Sequence, residues 1–333
     1  MQNLLDPAIL FFVFGVVAGA LKSNLEIPPA IAKFLSLYLL MALGLKGGFA
    51  LAESGLNAAV MVSLAAAILM AFIVPALGYQ LLKNRVSKFD AAAVAASYGS
   101  VSAVTFVTAL QYLETNHMTP GGHMAVALVI MESPAILIAV LLANTLRQQE
   151  AGKTGMISPD DGFSGTPIAS TPLRKILHES FTDGAQLLLL GAMAVGYLSS
   201  DAGKAVMAPF SIDLFKGMLA FFLLDMGLMV AKSFGSVRGK SPALIAYAGI
   251  GPLVHAGIAL ALSILLQLPA GDAALLMVLS ASASYIVVPA VLRYAIPEAN
   301  PSLYVGLSLG ITFPLNILVG IPLYAYVARH FLA

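Results

Sequence analysis

Apolar residues run along this chain in ten blocks, separated by short polar or glycine- and proline-rich intervals. The blocks cover about residues 5–21, 30–51, 57–82, 90–113, 122–146, 184–200, 211–231, 242–267, 272–295 and 302–328. A helix needs roughly 17–25 residues to cross a bilayer. The pattern therefore predicts an all-α polytopic membrane protein with ten transmembrane helices. The interval 147–183 is polar and rich in Gly, Ser, Thr and Pro, and reads as a linker ending in a short surface helix at Pro172–Glu179. The first block lacks a basic leader, since the first positive charge is Lys22, so it reads as a membrane helix and not as a signal peptide.

The fourth block is unusual. Its middle, Ser97-Tyr98-Gly99-Ser100-Val101-Ser102, is small and hydroxyl-rich. Glycine costs a helix about 1 kcal/mol against alanine, and serine competes for backbone partners, so this stretch predicts a break. Within a bilayer an opened backbone survives only where protein buries it or it lines a cavity. The pattern returns 182 residues later: Asp90 falls on Asp272, Ser100 on Ser282, Ser102 on Ser284 and Tyr112 on Tyr294. Ser133-Pro134 corresponds to Phe313-Pro314, and Leu43-Gly44-Leu45 to Met226-Gly227-Leu228. Small residues that let helices pack closely would explain one such patch. Two interrupted helices at matching places in two halves point instead to a transporter's binding site.

Five blocks on each side of the linker give each half an odd number of crossings, so the halves enter from opposite sides. Residues 1–146 form the first inverted repeat, 147–183 the linker and 184–333 the second repeat, with crossing helices 4 and 9 broken. Thirteen basic residues, among them Lys33, Arg85, Lys88, Arg147, Arg174, Lys232 and Lys240, fall on the linker side, against Lys46, Lys204, Lys216 and Arg329 on the other. That bias makes the linker cytoplasmic and both termini external.

Composition narrows the chemistry. Of 333 residues, 59% are hydrophobic and 10% charged, and the mean hydropathy is +0.92. Soluble domains carry about 25% charged residues. There is no cysteine, which excludes disulfides, thiolate metal sites and thiol nucleophiles. No basic patch suits nucleic acid, and HExxH, GxSxG and phosphate-loop motifs are absent, so no enzyme is expected. Gly44-Leu45-Lys46-Gly47-Gly48 reads as the end of a membrane helix.

Polar residues at bilayer depth are costly and default to function. Glu132, Asp225 and Asn316 qualify, whereas His255 reads as a core histidine and Arg293 as a residue that snorkels from the cytoplasmic end. Pro134 and Pro314 each free a carbonyl one turn earlier. Carbonyls, hydroxyls and a carboxylate suit a hard cation, while half-helix N-termini suit an anion. If the breaks cross at mid-membrane, the two sites adjoin, and binding one ion favours the other.

Ile27-Pro28-Pro29-Ala30-Ile31, Gly44-Leu45-Lys46-Gly47-Gly48, Gly99-Ser100-Val101-Ser102, Ala281-Ser282-Ala283-Ser284-Tyr285-Ile286, Ala299-Asn300-Pro301 and Gly310-Ile311-Thr312-Phe313-Pro314-Leu315-Asn316 resemble the sodium-dependent bicarbonate transporter family over nearly the whole chain. The resemblance implies sodium-driven bicarbonate import across the inner membrane, a five-plus-five inverted fold with core and gate domains, a homotrimer, and possible inhibition by a PII-like protein at the cytoplasmic face. Carried across, Gly99, Ser100, Val101, Ser102, Ala281, Ser282, Ala283 and Ser284 frame the bicarbonate. Asp225, Thr312 and Asn316, with Ser100, Ser102 and Glu132, are the sodium candidates. Sodium is the coupling ion, and no organic cofactor is implied. The alternatives are a transporter of this fold carrying another small anion or carboxylate, a cation/proton antiporter, or a membrane receptor for a PII-like regulator.

Overall fold

The computed structural model describes residues 6–55, 57–153, 184–237 and 240–332. The expected surface helix at Pro172–Glu179 and most of the linker lie outside the described residues. Among those described, every regular element is helical. In chain order these are α1 (Pro7–Ala20), α2 (Pro29–Ser54), α3 (Ala58–Leu82), α4 (Lys88–Gly99), α5 (Ala103–Thr115) and α6 (Met124–Lys153). After the linker come α7 (Gly184–Ala208), α8 (Phe215–Val237), α9 (Pro242–Leu265), α10 (Ala270–Ala281), α11 (Val287–Ala295) and α12 (Pro301–Leu332).

Local chemistry sets where these helices begin. Asp6 accepts from the N–H of Ala8 at 2.8 Å, with Pro7 in the first turn of α1. Asn57 accepts from Val60 at 3.0 Å to start α3, and Ser87 from Asp90 at 3.0 Å to start α4. Asn300 accepts from Ser302 at 3.0 Å ahead of α12. Each such cap is worth about 1 kcal/mol.

Among the described residues, seven helical stretches are long and apolar enough to cross a membrane, with α1 and α10 as shorter apolar helices. One stretch, Gly184–Gly235, has 52 residues. At 1.5 Å per residue a helix of that length would span about 78 Å, far more than the ~30 Å hydrocarbon layer. Its backbone is interrupted at Ser200, where φ is 48°. Two boundaries differ from the sequence reading. Residues 147–153 continue α6 instead of opening the linker, and Lys46 lies eight residues inside α2 instead of at its end.

Two packing groups organise the helices. In the first, α1 lies along α8 and α2 along α7. The repeated glycines make these seams: a Cβ on Gly44 would run into the Leu189 carbonyl of α7, and one on Gly227 into the Phe12 carbonyl of α1. In the second group α3 packs on α4 and α6, α9 on α10, and α10 on the C-terminal turns of α12. The breaks between α4 and α5 and between α10 and α11 lie deep inside this second group, with every residue from Ala91 to Ser102 and from Gly271 to Tyr285 buried.

Candidate functional site

Both expected breaks are present. Residues 100–102 separate α4 from α5, with Ser100 extended at φ −95°, ψ −176° and Ser102 at φ −111°, ψ 111°. Residues 282–286 separate α10 from α11, and Ser282 is likewise extended at φ −83°, ψ 167°. Gly99 has a second role besides opening the helix. A Cβ there would sit 2.6 Å from the ring of Pro75 on α3. Only glycine lets α4 approach that closely.

The breaks meet. Ser102 N–H donates to Ser282 Oγ at 3.0 Å, and Ser284 N–H donates to the Ser97 carbonyl at 2.8 Å. Ser282 Oγ donates onward to the Leu279 carbonyl at 2.8 Å. Ser102 Oγ caps α5 by accepting from Thr105 N–H at 3.2 Å and from Thr105 Oγ1 at 3.0 Å. Ser284 Oγ accepts from Val288 N–H at 3.3 Å in the first turn of α11. The hydroxyls of Ser97 and Ser100 are buried with no hydrogen-bond partner among the described residues. Such groups ordinarily recruit water or a ligand.

A cavity of about 100 Å³ opens at this crossing, lined among others by Ser102, Ala103, Ser284, Val287, Glu132 and Gln186. The first N–H groups of a helix have no intrahelical acceptor. Here the N-terminal turns of α5 and α11 share one cavity wall, where two positive dipole ends favour an anion. Gln186 Nε2 on α7 donates to Glu132 Oε2 on α6, so the polar wall joins the two packing groups.

α12 holds the opposite ends of the broken helices. Tyr98 OH meets Thr312 Oγ1 at 2.7 Å, and Thr312 Oγ1 donates to the Ala248 carbonyl at 2.8 Å. One turn on, Asn316 Nδ2 donates to the Ala281 carbonyl at 2.8 Å, and its Oδ1 accepts from Tyr324 OH at 3.1 Å. Here α12 widens into π turns at Ser308–Thr312 and Asn316–Gly320, on either side of Pro314. Pro134, by contrast, leaves α6 unbroken. Thr312 and Asn316 thus sit beside the C-terminal, electronegative ends of α4 and α10.

Of the predicted residues, Ser102, Ser282 and Ser284 come together directly, and Glu132 lines their cavity. Asp225 is buried on α8 and makes no hydrogen bond to Thr312 or Asn316. His255 is buried against Tyr247, ring centroids 6.0 Å apart, and its Nδ1 has no partner among the described residues. Among the described residues no group of three or more His, Cys, Asp or Glu side chains is arranged to hold a metal ion. Sequence reasoning missed Gln186 and Tyr98. Both carried a signal, one as an amide within an apolar span and the other as a member of the hydroxyl-rich patch. It also left Asp90 and Asp272 without a role. Asp90 Oδ1 accepts from Asn300 N–H at 2.8 Å, and Asp272 Oδ1 from Gly121 N–H at 2.6 Å, so each ties its broken helix to the loop before a helix of the other half.

Apolar helices of spanning length, with two of the helical runs broken at one buried crossing beside a small cavity, define a multi-pass membrane protein. The chain belongs to the Na+-dependent bicarbonate transporter superfamily, whose family profile matches residues 7–329. No curated protein matches it.

Proposed function

We propose that the protein imports bicarbonate together with sodium across the inner membrane by alternating access. The observation that carries this reading is the meeting of two helix breaks at one cavity that both the α5 and α11 N-terminal turns line. Bicarbonate occupies that cavity, which Val101, Ser102 and Ser284 line, with Gly99, Ser100, Ala281, Ser282 and Ala283 behind them in the two breaks. The cavity volume of about 100 Å³ favours a small anion. Pockets for drug-sized organic ligands run to about 300–1,000 Å³.

Sodium binds on the other side of the breaks. The C-terminal ends of α4 and α10 are electronegative, and Thr312 and Asn316 add a hydroxyl and an amide oxygen of the type a hard cation takes. Asp225 supplies compensating charge from α8. Anion and cation on opposite faces of one crossing stabilise each other, and a coupling of roughly 1–3 kcal/mol suffices for cotransport.

Ten crossings follow when Gly184–Gly235 is divided at Ser200 and each broken pair counts once. The packing supports inverted repeats: α1 lies on α8 while α2 lies on α7, and the Asp90 and Asp272 ties correspond across the two halves. The basic-residue bias puts the linker in the cytoplasm and both termini outside. A homotrimer and a PII-like cytoplasmic partner remain part of this proposal through family membership alone.

The test is uptake of labelled bicarbonate into proteoliposomes, with and without an inward sodium gradient, at a pH that suppresses free carbon dioxide. Accumulation that requires the gradient is the expected result. Uptake indifferent to sodium overturns the coupling, and no counterflow at all overturns transport.

A further inference from the structure

Glu132 lines the cavity into which both breaks open, with only 7% of its surface exposed. The Gln186 amide from α7 holds its Oε2. At first sight a carboxylate is the wrong neighbour for an anion. In a cavity of about 100 Å³, room for only a few waters, an anion at the α5 and α11 N-termini lies close to that carboxylate.

The chemistry of bicarbonate removes the conflict. An ionised carboxylate only accepts hydrogen bonds. Bicarbonate is a small planar monoanion that carries one O–H donor. Its two unprotonated oxygens can accept from the helix N-termini while its hydroxyl donates to the carboxylate, a charge-assisted bond of the stronger kind. Nitrate, nitrite and formate have similar size and charge but no O–H, and carbonate lacks it too and adds a second charge.

We propose that Glu132 is the specificity-determining residue, accepting the bicarbonate hydroxyl and rejecting small anions that have no proton to give. The inference rests on the reading of this cavity as the bicarbonate site. The Gln186 bond helps position the carboxylate at the cavity wall. A site built to hydrogen-bond a substrate hydroxyl discriminates strongly against analogues without one, because its polar group is then left facing another acceptor.

The experiment is competition against labelled bicarbonate uptake in proteoliposomes, using nitrate, nitrite and formate at pH 8. For the unaltered protein, a hundred-fold excess of each competitor leaves uptake unchanged, whereas unlabelled bicarbonate suppresses it. Glu132→Gln replaces the acceptor with an amide that can donate. Its discrimination between nitrate and bicarbonate falls at least ten-fold, while the sodium half-saturation concentration stays the same. Two results overturn the proposal. One is nitrate inhibiting the unaltered protein as strongly as bicarbonate, a measurement that decides the matter even if the variant does not fold. The other is a Glu132→Gln protein with unchanged anion ranking and a raised sodium requirement, which marks Glu132 as a cation ligand. Unaltered protein that exchanges no labelled bicarbonate overturns the underlying site reading as well, and so is distinct from a failure of selectivity alone.

Discussion

The backbone N–H of Ser102 donates to the hydroxyl of Ser282 across 3.0 Å, and that hydroxyl donates onward to the carbonyl of Leu279. The two serines lie 180 residues apart, one capping the start of α5 and the other ending α10. One buried hydroxyl therefore bonds a donor from one half of the chain and an acceptor from the other.

Ser282→Ala and Ser100→Ala are expected to differ. Removing the Ser282 hydroxyl strands the buried N–H of Ser102, at about 1–3 kcal/mol, while the Leu279 carbonyl keeps the N–H of Ser282 at 3.2 Å. Both thermal stability and uptake fall. The Ser100 hydroxyl has no internal partner among the described residues, so its loss leaves stability within about 0.5 kcal/mol. Uptake still drops at least ten-fold. Melting curves in detergent beside proteoliposome uptake check the contrast.

Thr312→Val removes the hydroxyl beside the C-terminal end of α4, and Asn316→Ala removes the side-chain amide whose Nδ2 bonds the last carbonyl of α10. Each is expected to raise the sodium concentration for half-maximal uptake about ten-fold or more, equivalent to roughly 1.4 kcal/mol, with a smaller change in apparent bicarbonate affinity. Sodium titrations at saturating bicarbonate measure it. An unchanged sodium requirement in both variants removes these residues from the cation site.

Gly99→Ala drives a methyl into the ring of Pro75, 2.6 Å away, and is expected to cost about 1–3 kcal/mol through overpacking. Gly191→Ala is the control, because a methyl there meets nothing within 4 Å. Thermal unfolding of the two variants side by side tests the packing, and equal stabilities would contradict it.

Lys46 Nζ on α2 lies 3.0 and 3.2 Å from the two carboxylate oxygens of Glu114 on α5, and 4.3 Å from the centre of the Phe215 ring. This pair bridges the two packing groups. In the proposed alternating-access cycle the groups move past each other, so joining them is expected to arrest transport. The chain has no cysteine, and Lys46→Cys with Glu114→Cys can be bridged by a short bifunctional thiol reagent without background labelling. Loss of uptake on bridging, with full uptake for each treated single variant, is the expected outcome.

Much of this architecture was legible in one dimension. Spans are visible because lipid demands a run of apolar residues. The breaks at Ser100–Ser102 and Ser282–Ile286 are visible because duplicated hydroxyls and small residues interrupt those runs. Some readings depended on partners the sequence does not reveal. Gly44-Leu45-Lys46-Gly47-Gly48 resembled a helix end, yet α2 continues past it. The glycines there serve a close seam with α7, and Lys46 is compensated by Glu114 from a helix 68 residues away. Pro134 and Pro314 looked equivalent, but only the region of Pro314 widens into π turns.

Composition and local pattern alone determined that this chain crosses a membrane many times and that two of its helices are broken. Those are properties of each segment's exchange with lipid, and each segment carries them by itself. Only the tertiary structure decided which groups meet: Ser102 with Ser282, Asn316 with the Ala281 carbonyl, and Glu132 with Gln186 at the wall of one cavity. A buried polar group has to find its partner in space, and helices distant along the chain supply that partner only after they pack.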